Sequence, residues 1–108
     1  MAKMKLIWFV HYDHLDDKEI AIGNDYNRGG DLDVDAVKAF IENGSGPYKG
    51  CGLVKFRLYD DDGELYYSGF YNGIHGSEAV AFLPLDWGMG YAGCVEMKVL
   101  EKGKWSIL

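Results

Sequence analysis

No run of eighteen apolar residues occurs anywhere in this 108-residue chain, so no helix of it is long and apolar enough to cross a membrane. The run Leu6-Ile7-Trp8-Phe9-Val10 has only the length of a strand. Lys3 and Lys5 precede it in the manner of an export signal, but His11, Tyr12 and Asp13 follow where a small-residue cleavage site belongs. The expected location is therefore cytoplasmic. Cysteine is scarce, and Cys51 and Cys94 are both expected to stay reduced in such a compartment. Repeats, linkers and low-complexity tracts are absent. One domain, residues 1–108, is long enough to bury a core without staples. Clusters of Lys and Arg are missing too. Scattered bases cannot neutralise a row of phosphates, which argues against direct binding of nucleic acid.

What the chain does have is one concentrated charge. Residues 13–35 hold eight acids, Asp13, Asp16, Asp17, Glu19, Asp25, Asp31, Asp33 and Asp35, against two bases, Lys18 and Arg28. That segment carries the whole net charge of −6, and the remaining acids and bases balance. A neutral body with one anionic segment suits a cationic partner, either a basic protein surface or a metal ion.

The apolar pattern gives the fold class. Met4 to Asp13 reads as a central strand covered on both faces, and Glu19–Ile22 as its hairpin partner. Residues 23–33 read as a loop. A helix is expected at about residues 33–43, capped by Asp31 or Asp33, with Val34, Val37, Phe40 and Ile41 in one stripe, and ended by Asn43-Gly44 and Pro47. Its stripe should meet Trp8, Val54 or Phe56. After Gly50 the period is two: Val54, Phe56 and Leu58 share one face, Lys55 and Arg57 the other, and Leu65, Tyr67, Gly69 and Tyr71 repeat the pattern. Further strands are expected at Ala79–Leu83, through Val95, Met97 and Val99, and at Trp105–Leu108. The sum is an α+β domain: an antiparallel sheet of five to seven strands with one helix on a face.

Several motifs invite chemistry. Residues 25–36 resemble the loop of a calcium-binding EF-hand, with Asp25, Asn27, Asp31 and Asp33 at ligand positions, Gly30 at the sharp turn and Leu32 at the apolar position. Gly29 and Ala36 stand where a fifth-position ligand and a bidentate carboxylate belong, and no entering helix precedes the loop. A solvated turn and a divalent-cation site are the two readings of this stretch. His11, Asp13 and His14 are ligand types, but on a regular strand they cannot all face one way. A thiol with His75 would make a nucleophile pair, which no local feature supports. The glycine-rich segment Gly44–Gly52 lacks the Lys-Ser/Thr ending of a phosphate loop and follows a helix instead of opening one. Trp87-Gly-Met-Gly-Tyr91 reads as a loop whose aromatics either cover the core or anchor a partner.

These observations converge on a small, acidic, non-enzymatic binding protein with no cofactor and no metal. Its expected contacts are Asp13, Asp16, Asp17, Glu19, Asp25 and Asp31 for charge, and Trp87 and Tyr91 for anchoring. An inhibitor that blocks a nucleic-acid-binding surface by mimicking phosphate charge, such as a phage antagonist of host defence, is one concrete form. The alternative is a calcium- or small-ligand module built on the Asp25–Asp33 loop.

Overall fold

The computed structural model describes residues 7–25, 31–73 and 83–108. Six strands form one open antiparallel sheet: β1 Ile7–Asp13, β2 Lys18–Asp25, β3 Leu53–Tyr59, β4 Leu65–Asn72, β5 Glu96–Glu101 and β6 Lys104–Ile107, in the order β2-β1-β4-β3-β5-β6. Helix α1, Val34–Asn43, and helix α2, Leu83–Ala92, complete an α+β fold. The β2 strand runs to Asp25, two residues beyond where the glycine at 23 suggests a loop. The strand accepts glycine alone at position 23, because a Cβ there would lie 2.6 Å from the Phe9 Cα.

The pleat of β1 divides the core in two. Trp8 and Val10 face one side with Phe56, Leu58, Tyr67, Tyr71, Met97 and Val99, and α2 covers them with Leu83, Leu85 and Trp87. Phe9 faces the other side with Phe70 and Leu53, under Ala36, Val37 and Phe40 of α1 and Tyr48. The α1 stripe therefore meets Phe9 and Phe70, not Trp8 and Phe56. The sequence shows that β1 is buried on both faces, but not which face each helix takes.

The α1 boundaries follow from local chemistry. The Asp33 side chain accepts a hydrogen bond from the Ala36 amide at 3.1 Å, and Gly44, at φ 61°, returns its amide to Phe40. The α2 helix replaces the loop expected at Trp87–Tyr91, and Leu83 opens it instead of closing a strand; residues 79–82 lie outside the described residues. Pro84 sits in the first turn, where its missing N–H costs nothing. Gly88 lets the helix approach the sheet, since a Cβ there would sit 3.0 Å from Leu58 Cδ1. Leu83, Trp87 and Tyr91 recur every four residues, the helical spacing that the intervening glycines conceal.

Candidate functional site

The β1–β2 hairpin places the acids. Its pairing slips between Val10 and Tyr12, where His11 is an extra residue opposite β4. Beyond the slip, Asp13 pairs with Tyr67, on the α2 side of the sheet. Asp13 is buried (8% exposed), and its carboxylate accepts the amides of Leu15 at 2.9 Å and Asp16 at 3.1 Å. It therefore holds the turn from within and is not a surface contact. Asp17, at φ 52°, accepts a hydrogen bond from the Tyr12 hydroxyl. Asp16 lies 3.9 Å from Lys18 in an open, solvent-screened pair. Asp16, Asp17 and Glu19 are exposed.

Asp25 is also internal. It is 4% exposed and accepts a hydrogen bond from the Tyr48 hydroxyl at 2.9 Å. The same oxygen accepts the Asp33 amide at 3.1 Å, so Tyr48 ties the end of β2 to the start of α1. Burial pushes the Tyr48 phenol up to about 12. Two of the four ligand positions of the EF-hand-like loop, Asp25 and Asp33, thus serve the fold. Asp31 is exposed, and residues 26–30 lie outside the described residues.

The aromatic pair separates. Trp87 is half-buried, with its ring 6.0 Å from Trp8 and 5.0 Å from Tyr67, and so covers the core. Tyr91 stacks on Trp87 at 5.2 Å and is 68% exposed. Tyr67 joins the two parts of the site. Its ring lies 6.5 Å from that of Tyr91, and its strand partner is Asp13 at the root of the acidic turn. Burial, then Asp13, Tyr91, Cys94 and Asp16, push the Tyr67 phenol up to about 12. The acidic turn and the exposed aromatic therefore stand side by side, with Leu15 and Met89 also exposed on these two elements.

Among the described residues, His11 and His14 join no group of ligands. His11 stacks on Phe70 at 5.6 Å, and burial, with Lys55 and His14, lowers its pKa to about 4. His14 Nε2 lies 2.7 Å from Ser68 Oγ, and burial lowers its pKa. Among the described residues, Asp60, Asp61 and Asp62 bring three carboxylates together, but Asp60 already accepts the amides of Asp62 and Glu64 in its own turn. His75 and the Cys51 side chain lie outside the described residues. Cys94 is a free thiol, and burial raises its pKa to about 11, so it is protonated at neutral pH.

The sheet does gather bases that the sequence scatters. Lys55, Arg57 and Lys98 share the α1 face through β3–β5 pairing. Aromatic neighbours take up two of them: Arg57 lies 4.2 Å above Trp105, and Lys98 4.9 Å above Tyr59. A groove beside α1 also escapes the sequence reading. Val34 and Ile41 in the apolar stripe are its signal, because both line the groove and stay exposed while Val37 is buried. No protein-family model, curated protein or solved structure matches the chain.

Proposed function

We propose that this chain is a small, non-enzymatic binding protein whose β1–β2 turn engages a basic surface on another protein. The observation that carries this reading is the junction of the exposed Asp16 with the exposed Tyr91 through Tyr67, with the exposed acids Asp17 and Glu19 next to Asp16 along the chain. Exposed carboxylates act at long range and steer the encounter, while a ring that loses its water on contact slows departure. Asp13 supports this surface from within, while Asp25 serves the fold at the far end of β2, and neither touches the partner. An inhibitor that sets carboxylates where a nucleic acid would place phosphates is one form of such a protein, and a phage antagonist of host defence is an instance of that form. A cytoplasmic setting agrees with the free Cys94 thiol.

The test is affinity capture from the native host, with identification by mass spectrometry, followed by binding kinetics on the purified pair. Asp16→Lys with Asp17→Asn is the informative variant. Asparagine tolerates the left-handed backbone at 17 and keeps an acceptor for Tyr12. A basic partner should be retained at low salt, be released at high salt, and associate at least ~10-fold more slowly with the variant. A partner whose association ignores both salt and the variant would reduce the turn to a solvated stretch.

A further inference from the structure

The apolar stripe of α1 overhangs the sheet. Val37 and Phe40 pack on Phe9, but Val34 and Ile41 remain 51% and 38% exposed. Beside them lies a groove of about 370 Å³, bounded by Val34, Val37 and Ile41 of α1 and by His11, Ile20 and Ala21 of the hairpin. Glu19, Glu42 and Lys38 supply its charges. On the α1 side β2 carries the small residues Ala21 and Gly23, the latter paired with Phe9, and this leaves the space open.

The β2 strand is also an end of the sheet. It pairs with β1 on one side, and among the described residues no strand lies on the other. The stretch Ile20–Asn24 carries no charge and no proline, two of the devices that block strand addition, and the register slip at Ile20–Ala21 leaves Ile22–Asn24 as its regular part. Among the described residues, an edge with no strand on it and an apolar groove therefore adjoin, with Glu19 and Glu42 in the groove lining and Asp16 and Asp17 just before β2 in the chain.

We propose that an extended, basic segment of the partner protein adds as a seventh strand to the free edge of β2 and seats an apolar side chain in the groove between β2 and α1. This rests on the partner being basic, as argued above. Main-chain hydrogen bonds to the edge hold such a segment whatever its sequence, and the groove selects every second side chain. Lysine or arginine two positions from the seated residue shares its face and meets Glu19 or Glu42.

The test uses the full chain, isotope-labelled for NMR, and a synthetic eight-residue peptide, Thr-Lys-Thr-Val-Thr-Lys-Thr-Val, which sets lysine and valine on one face of a strand. Two isomers of that peptide carry N-methyl groups on the threonine amides or on the lysine and valine amides. Amides on alternate residues of a strand point to the same edge, so strand addition predicts that one isomer loses affinity and the other does not. We expect the Ile20–Asn24 amides to shift and exchange more slowly, one isomer to bind at least ~10-fold more weakly, and Ala21→Leu, which fills the groove, to cost a similar factor at unchanged net charge. Circular dichroism melting checks that Ala21→Leu remains folded. If it does not, the isomer comparison on the wild-type protein still decides. Equal binding by both isomers, with binding lost only in Asp16→Lys with Asp17→Asn, would overturn strand addition and leave the acidic surface standing. Absence of peptide binding, with sedimentation showing a dimer of this chain, would assign the edge to a second copy and also overturn the proposal.

Discussion

The Tyr48 hydroxyl donates a hydrogen bond to the buried Asp25 carboxylate across 23 residues of sequence. It joins the last residue of β2 to the helix that packs beside it, and the Asp33 amide donates to the same oxygen. Tyr48→Phe keeps the ring stack on Phe9 and removes only the hydroxyl. It should destabilise the protein by about 1–3 kcal/mol, because a buried carboxylate loses a donor. Urea unfolding measures the loss. The phenol is held neutral in the fold, with its pKa raised from 10 to about 12. This contribution to stability is complete below pH 10 and is lost as pH rises toward 12, so wild type should lose more stability than Tyr48→Phe across that window.

His11 sets a second window at acid pH. Its ring rests on Phe70, and no hydrogen-bond partner for its buried Nε2 occurs among the described residues. The folded pKa is lowered from 6.5 to about 4, so the unfolded chain takes up the proton first. Stability from this group is complete above pH 6.5 and falls as pH drops toward 4. His11→Phe preserves the stack and removes the titration. Its melting temperature should therefore fall less steeply than that of wild type between those limits, as thermal melts at stepped pH would show.

Gly69 of β4 is fixed by its neighbours. A Cβ there would lie 2.6 Å from Phe56 Cζ and closer still to the Phe9 carbonyl oxygen. Backbone cannot yield as a side chain can, so Gly69→Ala should cost at least about 3 kcal/mol, or prevent folding. Gly90 of α2 has open space at the same position, so Gly90→Ala should be neutral or stabilising by up to about 1 kcal/mol. Melting temperatures of the two variants should move in opposite directions or differ sharply.

Trp87 and Tyr91, stacked on each other, should behave differently. Trp87→Ala opens a gap between Trp8 and Tyr67 and should cost about 2–4 kcal/mol of stability. Tyr91→Ala removes an exposed ring and should change stability by less than about 1 kcal/mol. On the proposed partner, Tyr91→Ala should raise the dissociation rate at least ~10-fold. Denaturant unfolding and surface plasmon resonance separate the two effects.

The legible parts of the fold are those where one period dominates. Val54, Phe56 and Leu58 alternate cleanly and form β3, and Asp33 and Gly44 mark the ends of α1 by their own chemistry. The α2 helix was hidden because Gly88 and Gly90 lower helix propensity, while the feature that permits the helix, close packing of Gly88 on Leu58, is tertiary. The candidate site was legible as charge but not as direction. Asp13 and Asp16 are equivalent in composition, and only the slip at His11 turns the first inward. Asp25 looks like a ligand until Tyr48, distant in sequence, is brought to it. The groove required knowing that Ala21 and Gly23 of β2 come to lie beside Val34 and Ile41 and leave space there.

The sheet order also sets how the molecule assembles in time. β1 with β2, β3 with β4, and β5 with β6 are hairpins that close over short loops. The join between the first two, β1 on β4, brings Trp8 to Tyr71 across most of the chain and closes the largest loop. Local hairpins form in microseconds, whereas such a distant pairing is slow because its entropy is spent before its contacts are made. The acidic hairpin is therefore expected to dock late, and both helices would wait on that docking: Trp8 and Phe9, which anchor α2 and α1 from opposite sides, arrive together on one strand.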